Sequence, residues 1–214
     1  MARASSLTFA CVRRQVTPIW NVVATIPGYD PDEGSDNVLI GNHRDAWTFG
    51  AVDPNSGSAS LLEVARGFGE LLKQGWKPRR SITLCSWDGE EYGLLGSTAF
   101  ALDNKKTLQA NAVAYLNVDV GVQGAPFTLG VDATPTLAQV IRSAAKNVTD
   151  PASGKPLDTV WNNYVGVLGS GSDYTAFIDN VGVPSASLGF NGAYGVYHSV
   201  YDSFYWMVRL QSNV

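Results

Sequence analysis

Three apolar stretches of this sequence each run into a polar cluster: Val38 to Gly41 into His43 and Asp45, Ile82 to Trp87 into Glu90 and Glu91, and Ala112 to Val118 into Asp119. Asp53 follows the first cluster closely, and His198 stands late in the chain. If these side chains meet, the carboxylates repel one another and raise each other's pKa values unless cations neutralise them. A mixture of imidazole nitrogen and carboxylate oxygen suits zinc. Two zinc ions ~3.5–4 Å apart form a clamp for attacking water and substrate oxygen, which is hydrolytic chemistry. Such a pair with one shared carboxylate needs five protein ligands. The sequence holds 2 histidines, His43 and His198, and enough acids to complete the set.

The neighbours Glu90 and Glu91 admit two readings. On an irregular turn one can ligate metal while the other stays free as a general base. Alternatively both belong to a solvated acidic turn at a helix start, where the helix dipole favours negative charge. A Ser-His-Asp hydrolase is a weak reading, because Gly169-Ser170-Gly171-Ser172 lacks the Gly-x-Ser-x-Gly elbow after a strand.

The elements that must carry these groups can be read from periodicity. Ile19 to Ile26 is β-branched and reads as a strand ended by Pro27-Gly28. Val38 to Gly41, Ile82 to Trp87 and Ala112 to Val118 read as buried strands. Phe127 to Val131 and Val183 to Leu188 read as two more. Leu61, Val64, Ala65, Phe68, Leu71 and Leu72 give Ser58 to Gln74 a helical face, with Gly75 at its C-terminal cap. Thr134 is expected to cap a helix with Pro135 at its first position. Asp173 to Ile178 and Ser203 to Leu210 read as helical. Strands alternating with helices predict an α/β sandwich with a largely parallel sheet, whose ligands bind beyond the carboxyl ends of the strands. Asp53 precedes Pro54, where a cis peptide bond is an expectation.

Composition narrows the class. The 214 residues suffice for one domain with a real core. Charged residues are 16%, below the usual ~25%, and the 22 glycines exceed the usual ~7%, as suits a buried sheet with tight turns. A net charge of −4 without a basic block argues against a nucleic-acid binder, and no apolar run reaches the ~18 residues of a membrane span. Cys11 and Cys85 read as small buried hydrophobes rather than as a disulfide. Arg3, Arg13 and Arg14 precede the first acid, Asp30, without the apolar segment or cleavage site of a leader, and a strand is expected there.

Five ordered blocks carry a family resemblance. The run from Asn42 to Gly57 resembles the first metal motif of the M28 zinc peptidases, in the branch of glutamate carboxypeptidase II and the transferrin receptor. Trp76 to Arg80 with Ser86 to Ser97 is similar to that branch's second block. Tyr115 to Asp119, Gly169 to Asp173 and Tyr197 to Asp202 follow in the family's order. The resemblance runs from about Val16 to Trp206. It implies a three-layer sandwich with a mostly parallel mixed central sheet flanked by helices. It implies two Zn2+ ions, His43 and Asp119 on one, Glu91 and His198 on the other, and Asp53 bridging both. Glu90 would be the general base and later the acid in hydrolysis of peptide bonds by metal-activated water. Asp45 would orient the His43 imidazole; on its residues alone it is also readable as a surface acid paired with Arg44. Tyr197, Gly171 and Ser172 would face the peptide substrate; otherwise they read as aromatic packing and a plain turn.

Departures from the family shape the remaining expectations. Glutamate-selective members carry arginines in the segment matching Val183 to Phe190, where this sequence has Ser187 and Gly189. Residues 1–214 are expected to form a single, truncated peptidase domain without the protease-associated insert or the C-terminal helical dimerisation domain. A homodimer is expected only of the full-length protein. The resemblance suggests the secretory pathway, vacuole or cell surface, and no signal or anchor is read in the sequence. A non-catalytic, receptor-like protein of the same branch is the alternative; such relatives have lost metal ligands, whereas all five positions and the base are present here.

Overall fold

The structure, a computed structural model, describes residues 16–211. Cys11, the three early arginines and the strand expected among them lie outside those residues. Six strands form one sheet: β1 (Val22–Ile26), β2 (Asn37–His43), β3 (Ser81–Trp87), β4 (Ala112–Asn117), β5 (Thr128–Ala133) and β6 (Ser185–Asn191). The spatial order is β1-β3-β2-β4-β6-β5. The inner pairs β3–β2, β2–β4 and β4–β6 are parallel, and the edge strands β1 and β5 are antiparallel to their neighbours. The mostly parallel mixed sheet expected from the sequence is the one observed.

Helices cover both faces, as the near-continuous apolar strands require. Successive strand residues alternate between faces. Leu39, Cys85, Trp87 and Tyr115 share one face with Ala101 of α2 (Leu95–Asp103), Leu108 of α3 (Lys105–Asn111) and Phe177 of a π-helical segment (Ala176–Val181). On the other face Leu116 and Ala186 pack with Leu137 and Ile141 of α4 (Pro135–Ala145) and with Leu157 of α5 (Leu157–Val160). Helix α1 (Asn55–Lys73) lies on this second face too, since its Ser58 bonds the Asn42 side chain, in phase with Ile40 and Leu116. A final helix, α6, spans Phe204–Gln211.

Several boundaries differ from the sequence reading. Helix α1 begins at Asn55 rather than Ser58, directly after a cis Asp53–Pro54 bond. Its polar, glycine-containing first turn carries no apolar periodicity, so the pattern starts late. Gln74 closes the helix and Gly75 follows at φ +88°, the left-handed position that favours glycine after a helix end. Pro135 is at the start of α4 as expected, but Thr134 makes no side-chain capping bond and donates instead to the Ser185 carbonyl at 3.3 Å. The segment read as a helix over Asp173 to Ile178 is wound as a π-helix over Ala176–Val181. Strand β6 starts at Ser185, two residues later than read, because Val183 and Pro184 are still entering the sheet. Cys85 is buried and not disulfide-bonded.

Candidate metal centre

The three polar clusters meet because their strands are adjacent and parallel. His43 ends β2 opposite Trp87 at the end of β3, and Gly41 of β2 pairs with Asn117 at the end of β4. Glu90 and Asp119 therefore emerge on either side of His43, at the carboxyl edge where such sheets bind ligands. A cavity of about 390 Å³ opens there, lined by His43, Asp53, Glu90, Glu91, Asp119, Gly171, Tyr197 and His198 among others.

Asp53 links the two histidines. Its Oδ1 lies 3.4 Å from His43 Nε2 and its Oδ2 lies 3.1 Å from His198 Nε2. Asp119 Oδ1 is 2.8 Å from the same His43 nitrogen, and Glu91 Oε2 is 3.2 Å from His198 Nε2. Glu90 Oε2 stands further off, 3.9 Å from His43 Nε2. Ligand-type atoms of His43, Glu90 and Asp119 lie within 4.8 Å of one another, as do those of Asp53, Glu91 and His198. Asp53 Oδ1 and Glu91 Oε1 are buried without hydrogen-bond partners. Buried carboxylate oxygens without donors are costly unless a cation satisfies them. Imidazole nitrogen and carboxylate oxygen donors in these groups suit zinc.

Electrostatics tell the same story. Burial pushes the Glu90 carboxyl up to about 8, and the nearby acids Asp119, Asp173 and Glu91 add to that rise. Glu91 is raised by burial and by Asp53. Burial disfavours the His43 imidazolium, but the facing carboxylates of Asp119, Asp45 and Asp53 outweigh it and raise the imidazole far above its usual value. Glu90 and Glu91 are thus not a solvated acidic turn: Glu90 is 9% exposed and the Glu91 side chain 4%.

The residues that hold these ligands were only partly foreseen. Asp45 was expected to orient His43 through its carboxylate. His43 Nδ1 faces both the Asp45 backbone carbonyl, at 3.0 Å, and its carboxylate, at 3.6 Å. The Asp45 carboxylate accepts the Glu90 and Glu91 amide N–H groups at 3.0 and 3.1 Å, fixing the turn that aims those side chains. Arg44 turns away from Asp45 to Ser86 and Asp88. Asp202, given no role from sequence, is buried and accepts the amides of Val52 and Asp53 at 2.8 and 3.1 Å and the Tyr194 hydroxyl at 2.7 Å. It clasps the loop bearing His198 to the loop bearing Asp53. Asn42 likewise donates to the carbonyls of Val118 and Asp119 and accepts from Ser58.

Tyr197 lines the cavity and stacks on the His198 ring at 3.7 Å. Gly171 borders the cavity. Ser172 does not: it is buried under Asp119 and donates to Asp119 Oδ2 at 2.5 Å, a correction to its expected place facing substrate. Asp173 is buried beside it, and burial raises its carboxyl to about 7.

Residues 21–207 match the model of Peptidase family M28. The chain belongs to this family. Among M28 relatives, a probable glutamate carboxypeptidase of Arabidopsis thaliana is 47% identical over 91% of this chain and 29% of its own length. The aminopeptidase NAALADL1 of Mus musculus is 41% identical over 86% of this chain and 27% of its own. The chain thus spans under a third of the curated relatives it matches. Among solved structures, an aminopeptidase from Aneurinibacillus sp. strain AM-1 superposes with a TM-score of 0.64 at 25% identity, covering 86% of this chain and 42% of that one. The zinc aminopeptidase of Bacillus subtilis, at 18% identity, shares the fold, with a TM-score of 0.67 over 90% of this chain and 47% of its own.

Proposed function

We propose that this M28 chain is the catalytic unit of a two-zinc exopeptidase. The observation that carries the reading is Asp53, whose two carboxylate oxygens are divided between His43 and His198. His43, Asp53 and Asp119 would hold one ion, and Asp53, Glu91 and His198 the other. Bound zinc supplies Lewis acidity toward a carbonyl and lowers the pKa of water. Glu90, although near His43 and Asp119, stands further from His43 Nε2 than Asp119 or Asp53, at 3.9 Å, and is left free of the ions in this reading. Its carboxylate, at the edge of the cluster, is placed to take a proton from water there and return it to a departing nitrogen. Asp45 holds the backbone of Glu90 in place for that transfer. Tyr197, stacked on His198, walls the cavity where the peptide would lie.

A second cavity of about 440 Å³ shares Asp119 and Val120 with the first and extends along β5 and β6. Its lining includes Trp161, Tyr164, Ser187, Gly189 and Asp132 but no lysine or arginine among the described residues. A carboxylate side chain would find no cationic partner there. Neutral side chains at that position are therefore the expected substrates, although several relatives are named glutamate carboxypeptidases.

The deciding experiment is metal analysis of the purified protein alongside hydrolysis of a peptide panel. About two zinc ions per chain are expected, with hydrolysis lost in Glu90→Gln while zinc is retained. A folded protein that binds no zinc would sink the reading, as would an undiminished Glu90→Gln.

A further inference from the structure

Beneath Asp119 a line of buried polar side chains runs back into the aromatic core. Trp87 Nε1 donates to Tyr115 Oη at 2.9 Å, and Tyr115 Oη donates to Asn117 Oδ1 at 2.9 Å. Asn117 Nδ2 donates to Ser172 Oγ at 2.9 Å, and Ser172 Oγ donates to Asp119 Oδ2 at 2.5 Å. Trp87, Tyr115 and Asn117 are fully buried and Ser172 is 5% exposed, so water cannot stand in for any of them.

The donor inventory fixes the direction of this line. An indole only donates, so the Tyr115 oxygen accepts from Trp87 and its single proton must go elsewhere. Asn117 offers that proton its carbonyl oxygen, which turns its NH2 toward Ser172. Ser172 then accepts from Asn117, and its own proton is left for Asp119. Asp119 Oδ2 accepts that bond, and the line ends there. Every member is satisfied in this one orientation, and each bond polarises the next in the same sense.

The backbone is shaped to let the line pass. Trp87 lies on β3 and Tyr115 on β4, on either side of β2. They meet over Gly41, where a Cβ would fall 2.1 Å from Tyr115 Oη and 2.7 Å from Trp87 Nε1. Any other residue at position 41 would break the first bond of the line.

We propose that Trp87, Tyr115 and Asn117 are positioning residues for Asp119, acting as a one-way hydrogen-bond line that keeps the Ser172 proton on Asp119 Oδ2. This rests on the reading of Asp119 as a metal ligand. With Oδ2 engaged, Oδ1 alone faces His43 Nε2, 2.8 Å away, and Asp119 presents a single oxygen to a cation. Loss of a partner behind a metal ligand typically weakens metal binding 10–100-fold. Tyr115 would exert that effect from three hydrogen bonds away.

The test is Tyr115→Phe in the intact protein, which removes one oxygen and keeps the ring stacked on Phe177 at 4.0 Å. Zinc affinity is measured by competition with a chromophoric chelator, a readout independent of activity. The expected result is roughly tenfold or greater weakening of one zinc site, matched by Gly41→Ala and by Ser172→Ala and rescued in Ser172→Thr. Val183→Ala, which thins the same core without touching the line, should lower the melting temperature and leave zinc affinity unchanged. If Tyr115→Phe fails to fold, the contrast between Ser172→Ala and Asn117→Ala decides: equal weakening supports the line, and an effect of Ser172→Ala alone overturns it. Wild-type zinc affinity in a folded Tyr115→Phe protein also overturns it while leaving the metal centre intact. A wild-type protein that binds no zinc removes both readings together.

Discussion

At the scale of single residues, the proposed ligands are legible because their chemistry is uncommon and their places regular. Only 2 histidines exist, and each falls in a proposed ligand position. Asp45 and Asp202 show where that legibility stops. Both lie in the motifs that carry the family resemblance, yet what their carboxylates touch depends on loops brought together by the fold. Asp45 divides its work between two atoms, so its substitution separates them. Asp45→Ala keeps the backbone carbonyl that holds His43 Nδ1 and removes the acceptors of the Glu90 and Glu91 amides. The expected outcome is a fall in kcat of at least about tenfold, because misplacing a catalytic group by a small distance is costly. Weaker zinc binding is expected at the Glu91 site but not at the His43 site. Steady-state kinetics and zinc stoichiometry measure the two effects separately. Asp202→Ala leaves two buried amides and the Tyr194 hydroxyl without an acceptor. At roughly 1–3 kcal/mol for each unsatisfied buried group, a loss of several kcal/mol is expected. Denaturant unfolding of the variant against wild type measures it.

At the scale of elements, the strands and α1 were readable because one or both of their faces are continuous and apolar. Helices α2 and α3 carry no such signal. In α2 the apolar residues Leu95, Ala99, Phe100, Ala101 and Leu102 leave no distinct polar face, so the helical period is hidden. The π-helical turn was read as ordinary helix because no sequence signal marks the extra residue. The start of α1 was read late for the same reason that it matters. Its first turn is built from small residues that let the helix approach the end of β4. A Cβ on Gly57 would fall 2.2 Å from the Asp119 carbonyl oxygen and 2.3 Å from that of Val118. Both are backbone atoms with little freedom to retreat. Gly57→Ala should therefore push the start of α1, and Asp53 just before it, away from Asp119. Overpacking of this kind typically costs about 1–3 kcal/mol, which outweighs the gain of up to ~1 kcal/mol from replacing glycine within a helix. A lower melting temperature together with weaker zinc binding is the expected result. A variant more stable than wild type would show that the helix start tolerates the shift.

At the scale of the whole molecule, the sheet gathers more negative charge at one edge than a metal-free protein can hold comfortably. Glu90 is raised to about 8 and Asp173 to about 7, both chiefly by burial. Glu91 is raised by burial and Asp53, and His43 is raised by its acidic partners against the opposing effect of its own burial. A group with a raised folded-state pKa holds its proton more tightly in the folded than in the unfolded chain. Folding stability then falls as pH rises between the two values. For the carboxyls that window opens near the ordinary glutamate value of 4.5 and closes near 8. His43 acts in the same direction above its ordinary value of 6.5. Asp45 acts in the opposite direction, its lowered pKa removing stability only as pH falls below the ordinary value of 3.8. The metal-free protein should accordingly be more stable at pH 5 than at pH 8 and lose stability steadily between them. Two bound zinc ions would neutralise the same carboxylates, so the loaded protein should show little of that decline. Thermal unfolding from pH 5 to pH 8, with and without a chelator, compares the two. Zinc should raise the melting temperature more at pH 8 than at pH 5, since ligand protonation no longer competes with metal there. Equal zinc stabilisation at both pH values would mean that the buried acids are not the ones the metal neutralises.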